Sequence, residues 1–259
     1  NKIYTEEFST LFYKLLECNV HNKNISSEAN IKEEIDLYMN SLEDYSNYEQ
    51  ISDKMLWYDN RIIYPKLQLQ HQLVVDAVKD LMPLKICEIG AGAGVVLKYI
   101  YPHIAPGAEM TGLEWGNIHI EQMRENFTLS GFTEPLSTEI KANIVKGVSQ
   151  NIPFPDNHFD FVYSCTVMMH IPFIPAILAA CEIARTSSKY ILHIENKNNG
   201  FDWYNNAIVV GKTQAHANRY GIDYQKLYDL LGFKTIKYFE FPDPIVENCT
   251  YIYYLGEKI

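Results

Sequence analysis

Two kinds of hydrophobic pattern divide the chain. Over residues 1–75 apolar side chains recur at helical spacing, at Tyr4, Phe8, Leu11, Phe12 and Leu15 and again at Ile31, Ile35, Tyr38, Met39, Leu42 and Tyr45, with Ser26 and Ser27 between them as helix-capping residues. Helices without strands are expected there, and their apolar stripes need a surface to cover. From residue 76 to 259 the pattern becomes short apolar runs separated by turns and by amphipathic stretches. Leu84 to Ile89, Ala108 to Glu114 and Lys189 to Glu195 read as strands. Ala176 to Arg185 and Asp223 to Phe233 read as helices, the second ended by a glycine cap, and Lys234 to Phe241 with Thr250 to Leu255 as a closing antiparallel pair.

The densest chemistry lies in the run Glu88-Ile-Gly-Ala-Gly-Ala-Gly94, which reads as strand, glycine turn, helix. Gly90, Gly92 and Gly94 let the backbone turn tightly and approach a ligand where a Cβ would collide, and the helix beyond offers its first N–H groups to a polar guest. A nucleotide-like cofactor is the expected guest. A dinucleotide fingerprint, G-x-G-x-x-G, would need glycine where Val95 stands. The spacing is instead G-x-G-x-G, with Glu88 two residues before it. Glu114 ends the next strand, where a doubly wound fold holds ribose hydroxyls, and a carboxylate suits a diol because it accepts two hydrogen bonds. The other reading of Glu114 is a solvated strand-end carboxylate. Trp115 is open between lying against adenine and ordinary packing.

On these residues the chain resembles the class I, Rossmann-like S-adenosylmethionine-dependent methyltransferases, in their small-molecule (type 11-like) branch. The resemblance continues through Asn143 to Tyr163, with its Ile152-Pro-Phe-Pro turn and Phe159-Asp-Phe strand entry, and through Ser164-Cys-Thr-Val-Met-Met-His170. It implies an α/β fold with a seven-stranded, mostly parallel sheet, helices on both faces and the order β-α-β-α-β-α-β-α-β-α-β-β. The N-terminal helices, 1–75, would form a cap or lid on a methyltransferase domain at 76–259. Trp57 to Pro65 would serve as hinge or lid, and 196–220 would be an insertion on the substrate side.

The resemblance also assigns roles. S-adenosyl-L-methionine would be the cofactor and S-adenosyl-L-homocysteine its product, held by Glu88, Gly90, Ala91, Gly92, Gly94, Glu114, Trp115 and Cys165. Where relatives often carry an aspartate for the adenine amino group, Val148 stands, so that contact falls to Ser149, Gln150 or backbone. His170 and Glu195, near the carboxyl ends of the fourth and fifth strands, are the candidates for base and orienting carboxylate. His193 shares a strand face with Glu195 by period-two alternation, so a His193–Glu195 dyad is a rival, as is a structural role for either histidine. Tyr64, Met169, Trp203 and Tyr204 are candidates for the acceptor side, with packing as the alternative. The expected reaction is methyl transfer to an O or N of a small polar metabolite, such as a sugar-containing or secondary-metabolite acceptor. A non-catalytic subunit binding the same cofactor and a nicotinamide-dependent oxidoreductase are the competing functions.

Composition narrows the partners. The formal net charge is −10 and the pI near 5.3, with no cluster of Lys and Arg of the kind phosphate contacts require, so no nucleic-acid partner is expected. The five cysteines, at 18, 87, 165, 181 and 249, lack metal-type spacing and are expected as free thiols in a reducing cytoplasm. No metal is called for. There is no apolar run of about 18 residues and no signal-like start, so membrane insertion is not expected. The aromatic N-terminal face is offered as a homo-oligomer contact.

Overall fold

In the computed structural model, residues 14–15, 35–37, 40, 69–129, 141–171, 173–197, 222–242 and 250–259 are described. The described elements run α1 (Leu69–Leu81), β1 (Lys85–Ile89), α2 (Val95–Ile100), β2 (Glu109–Glu114), α3 (Asn117–Leu129), β3 (Lys141–Lys146), β4 (Phe159–Cys165), α4 (Phe173–Thr186), β5 (Ser187–Lys197), α5 (Tyr224–Leu230), β6 (Phe233–Pro242) and β7 (Thr250–Lys258). Seven strands form one sheet in the order β3-β2-β1-β4-β5-β7-β6. β1 to β5 are parallel, and β7 is antiparallel to both β5 and β6. This is the seven-stranded, mostly parallel sheet that the resemblance implies.

Strand alternation sorts the core into two layers. Ile86, Met110, Phe161, Tyr163 and Leu192 face one side, where they bury against Val74, Val75 and Val78 of α1, Val96 and Leu97 of α2, and Met123 and Phe127 of α3. Cys87, Ile89, Val162 and Ile191 face the other, against Ile177, Ala180 and Ile183 of α4 and Leu227 and Tyr228 of α5. Gly112 makes the first layer possible, since a Cβ there would stand 2.9 Å from both Leu97 Cδ1 and Met123 Sδ.

The N-terminal prediction is visible only in part. Lys14, Leu15, Ile35 to Leu37 and Asn40 are helical, and Leu15 is fully buried in the α4–α5 layer with Ile35 packed against it. The remaining hinge and cap residues expected before Leu69 lie outside the described residues, as do Tyr64, Trp203, Tyr204 and residues 198–220. Position 75 falls inside α1, whose Val74, Val75, Ala77 and Val78 are buried in the same layer as α2.

One element of the expected order is absent. A helix was predicted between the third and fourth strands, but residues 147–158 form turns with an isolated bridge between Val148 and Asn151. Pro153 and Pro155 deprive the segment of two backbone donors, and Asn157 takes a positive φ of 57°. Arg185, in the last turn of α4, holds this segment instead. Its guanidinium donates to the Phe154 carbonyl at 2.8 Å, the Ile152 carbonyl at 3.0 Å, the Asp156 carboxylate at 2.8 Å and both oxygens of Glu182 at 2.7 Å. Glu182 Oε2 in turn accepts the Ile152 N–H at 2.9 Å.

Among the described residues no helix is long and apolar enough to cross a membrane. Cys87, Cys165 and Cys181 are free thiols, as expected, while Cys18 and Cys249 lie outside the described residues.

Arg185→Ala should lower unfolding stability by about 1–3 kcal/mol, because two carbonyls and a half-buried Glu182 lose their partner together. The midpoint of urea denaturation measures this, and an unchanged midpoint would show that water replaces the guanidinium without loss.

Candidate active site

Because β1 to β5 are parallel, their carboxyl ends meet along one edge of the sheet. The chain reverses its direction of travel across the sheet between β1 and β4, and ligands of doubly wound sheets bind outside that point. Four connections converge there: Gly90 to Gly94 after β1, Glu114 to Gly116 after β2, Gly147 to Gln150 after β3 and Cys165 to His170 after β4.

Gly90, Gly92 and Gly94 all adopt positive φ, at 64°, 53° and 75°. A Cβ on Gly90 would come within 2.6 Å of Val167 Cγ1, and one on Gly94 within 2.6 Å of Met123 Cγ. Glycine is therefore required at these positions both by backbone conformation and by space. The turn is tied to its neighbours by Ala91 N–H to the Leu113 carbonyl (3.1 Å), Gly94 N–H to the Ala91 carbonyl (2.8 Å) and the Asn126 amide to the Ala93 carbonyl (2.9 Å). The helix that follows, α2, is a short six residues.

Glu114 closes the arrangement. Its Oε2 accepts the Gly92 N–H at 2.8 Å, its Oε1 accepts the Trp115 and Gly116 N–H groups at 2.9 Å each, and His119 Nδ1 stands 3.7 Å from Oε1. Burial pushes the Glu114 carboxyl up, but the His119 ring and the Gly116 and Gly92 amides outweigh burial and hold it below the ordinary carboxylate value. Glu114 is thus an ionised, buried carboxylate at neutral pH, contrary to the solvated reading. Trp115 beside it is half-buried.

Glu88, in β1, has the opposite character. Burial pushes its carboxyl up to about 8; the neighbouring Tyr163 phenol and the Leu97 amide oppose that rise, and the Glu114 charge adds to it. Its Oε2 is buried with no hydrogen-bond partner among the described residues. Cys165 lies on the same sheet face at the end of β4, its thiol raised far above the usual range by burial and by the Glu195 and Glu88 charges.

The other predicted residues separate. Ser149 is half-buried in the turn after β3. Gln150 donates its amide to the Pro175 carbonyl of α4 at 3.3 Å, while its Oε1 is buried without a partner among the described residues. Met169 is buried and His170 exposed, on a single 3-10 turn at the carboxyl edge, with the His170 N–H bonded to the Val167 carbonyl at 2.9 Å.

His193 and Glu195 share a face, as alternation predicts for the rival dyad, and both sit inside a hydrogen-bonded cluster. Both are essentially unexposed and are joined through Ser164, whose hydroxyl lies 2.7 Å from His193 Nδ1 and donates to Glu195 Oε1 at 2.6 Å. His193 Nε2 is 2.6 Å from the Tyr228 hydroxyl, and the ring lies among Tyr224, Tyr228 and Tyr254. Burial lowers His193 to about 3, leaving it neutral, and raises Glu195 to about 7 against the pull of Ser164 and of the amides of the turn after β4. With both ring nitrogens engaged by protein, His193 has no lone pair to offer an acceptor. Ser164 and Tyr228 were not singled out from the sequence. Tyr224 and Tyr228 are one helical turn apart and form a readable aromatic face, but Ser164 becomes notable only through the register that pairs it with His193.

Residues 87–187 match the family model of a methyltransferase domain. The matched segment runs from β1 to the start of β5 and includes the glycine turn and Glu114. A sterol 24-C-methyltransferase of Gibberella zeae is 35% identical over 109 residues, 42% of this chain and 25% of that protein, so the chain spans a quarter of the length of that curated relative. Among solved structures, the domain superposes on magnesium protoporphyrin IX methyltransferase of Synechocystis PCC 6803, with S-adenosylmethionine bound, at a TM-score of 0.55 and 14% identity, covering 84% of this chain and 97% of that one. The 1,6-didemethyltoxoflavin-N1-methyltransferase of Burkholderia thailandensis, with S-adenosylhomocysteine bound, gives 0.55 at 10% identity and 92% coverage of each chain. These two likenesses describe the fold of the methyltransferase domain.

The carboxyl edge has the chemistry to hold such a cofactor: a glycine turn with three positive φ angles, an ionised Glu114 beside it, and a buried Glu88 oxygen without a partner among the described residues. The raised Glu88 makes a pH prediction. A carboxyl lifted from 4.5 to about 8 contributes stability that is present below pH 4.5 and lost as pH rises through 8. Glu88→Gln removes that loss, so its stability relative to wild type should improve by more than about 1 kcal/mol between pH 5 and pH 8.5. A difference independent of pH, in denaturation at the two values, would place Glu88 in the ordinary range.

Proposed function

We propose that this chain binds S-adenosyl-L-methionine along the carboxyl edge of β1, β2 and β4 and transfers the methyl group to an oxygen or nitrogen of a small polar metabolite, with sugar-containing or secondary-metabolite acceptors as the first class to try. The observation that carries this reading is the ionised Glu114 carboxylate bonded to Gly92 N–H in the glycine turn. It is an acceptor for ribose hydroxyls already oriented next to a backbone that leaves room for a ligand.

When bound, the cofactor supplies a methyl group on a sulfonium, ready for in-line displacement. The protein's part is to hold the acceptor behind that methyl and to handle the proton. Glu114 would orient the ribose, Trp115 would cover adenine, and Ser149 with the Gln150 backbone would meet its edge. The buried, unpartnered Glu88 Oε2 is suited to a cationic or N–H donor of the cofactor. His170, exposed on the turn after β4, would accept the proton of a hydroxyl acceptor; an amine acceptor needs positioning more than a base. Met169 with Tyr64, Trp203 and Tyr204 are the proposed acceptor contacts. The relatives named above are a 24-C- and an N1-methyltransferase, so the choice of a hydroxyl acceptor rests on His170.

Calorimetric titration with S-adenosylmethionine, S-adenosylhomocysteine and NAD tests the cofactor. Micromolar binding of the two sulfur compounds, about −8 kcal/mol, with none of NAD, is expected, and the reverse overturns the reading. Gly92→Val should abolish binding, because a β-branched residue is strained at φ 53° and would crowd the turn. His170→Ala should leave S-adenosylhomocysteine affinity unchanged and lower turnover of a hydroxyl acceptor by about 10²–10⁴-fold. Unchanged turnover would remove His170 from the chemistry.

A further inference from the structure

We propose that Glu195 is a positioning residue, which from inside β5 holds the turn after β4 in place and thereby sets both Val167, against the glycine turn, and Met169–His170, at the acceptor side. Glu195 Oε1 accepts the Val167 N–H and Oε2 the Met169 N–H, each at 3.2 Å, while Ser164 donates to Oε1 at 2.6 Å. One buried carboxylate therefore grips two alternate amides of a single turn.

That turn needs holding. Thr166, its first residue, has φ 60°, a region in which a β-branched side chain is a genuine outlier, and such strain persists only where the surroundings over-determine it. The remaining restraints at its base are the Thr166 N–H to the Ile194 carbonyl at 2.8 Å and the Thr166 hydroxyl to the Cys165 carbonyl at 2.7 Å, both involving residues beside Glu195 or Ser164 in the sheet. Beyond Thr166, Val167 fills the space over Gly90, at a distance that leaves no room for a Cβ there. A shift of the turn therefore moves one wall of the glycine turn directly.

Behind Glu195 the support is rigid. Ser164 is register-paired with His193, and His193 is fixed in turn by the Tyr228 hydroxyl and by rings of Tyr224 and Tyr254. The chain of contacts runs from α5 through β5 and β4 to the turn, all of it buried on the face opposite Glu88 and Tyr163. The consequence for affinity rests on the proposed cofactor site; the mechanical part does not.

Amide hydrogen exchange of the full chain separates the two. In Glu195→Gln, whose side chain keeps the shape but offers an N–H₂ where one amide needs an acceptor, the peptide covering 166–171 should exchange about tenfold or more faster, with peptides of β1 and β2 unchanged. Ser164→Ala, which loosens the carboxylate while leaving it in place, should give a smaller acceleration confined to the same peptide, and serves alone should Glu195→Gln not fold. Unchanged exchange in the 166–171 peptide, or acceleration spread evenly over the sheet, overturns the proposal. Titration of S-adenosylhomocysteine should show affinity weakened by about tenfold in Glu195→Gln, in contrast to unchanged affinity in His170→Ala. A loosened turn with unchanged affinity overturns the link to the cofactor side. A loosened turn in a chain whose wild type binds no S-adenosylhomocysteine would overturn the function proposed above and leave the positioning role standing.

Discussion

The carboxyl edge of this sheet depends on the buried Glu114 carboxylate. It bonds forward to the two amides that follow it and across to the glycine turn, so the ends of β1 and β2 are joined by one charge. A buried carboxylate is tolerable only when amides and a nearby imidazole compensate for lost hydration, and here they do so well enough to keep it ionised. The glycines are the other half of the same constraint. Without positive φ at Gly92 its N–H would not be aimed at Glu114, and without the missing Cβ at Gly90 Val167 could not approach.

Two buried polar groups lie on opposite faces of the sheet and are built on contrary principles. On the α1–α3 side, Glu88 is left with an unpartnered oxygen among the described residues and a raised carboxyl pKa, an arrangement suited to receiving something. On the α4–α5 side, Ser164, His193, Glu195 and Tyr228 join in one hydrogen-bonded chain, with both His193 nitrogens and both Glu195 oxygens engaged, an arrangement suited to holding something still. The two faces thus differ in what their buried polar groups offer: one leaves an oxygen open among the described residues, and the other closes its hydrogen bonds internally.

The surroundings of His193 and Glu195 lie beyond what a local pattern can encode. Residue type and alternation place an imidazole and a carboxylate on one strand face near a carboxyl end, and both features hold. What decides their role is the third group, Ser164, which arrives from the neighbouring strand through a register that no local pattern encodes. Likewise the two prolines at 153 and 155 were legible as a turn, but the replacement of a helix by a segment clamped to Arg185 depends on α4 returning alongside it.

Periodicity and punctuation along the chain were sufficient for β1, β2, β5 and the closing pair, the alternation of their faces, the glycine turn and the carboxylate that ends β2, because these are set by local sterics and by which side chains must leave water; β3, β4 and the order of the strands came from the family resemblance. The partners of buried polar atoms were decided by the tertiary structure alone. Glu114 gained Gly92, Glu195 gained Val167 and Met169, and His193 gained Tyr228 from segments tens of residues away, since a buried hydrogen bond is satisfied by whatever the packing of layers brings within about 3 Å and not by sequence neighbours.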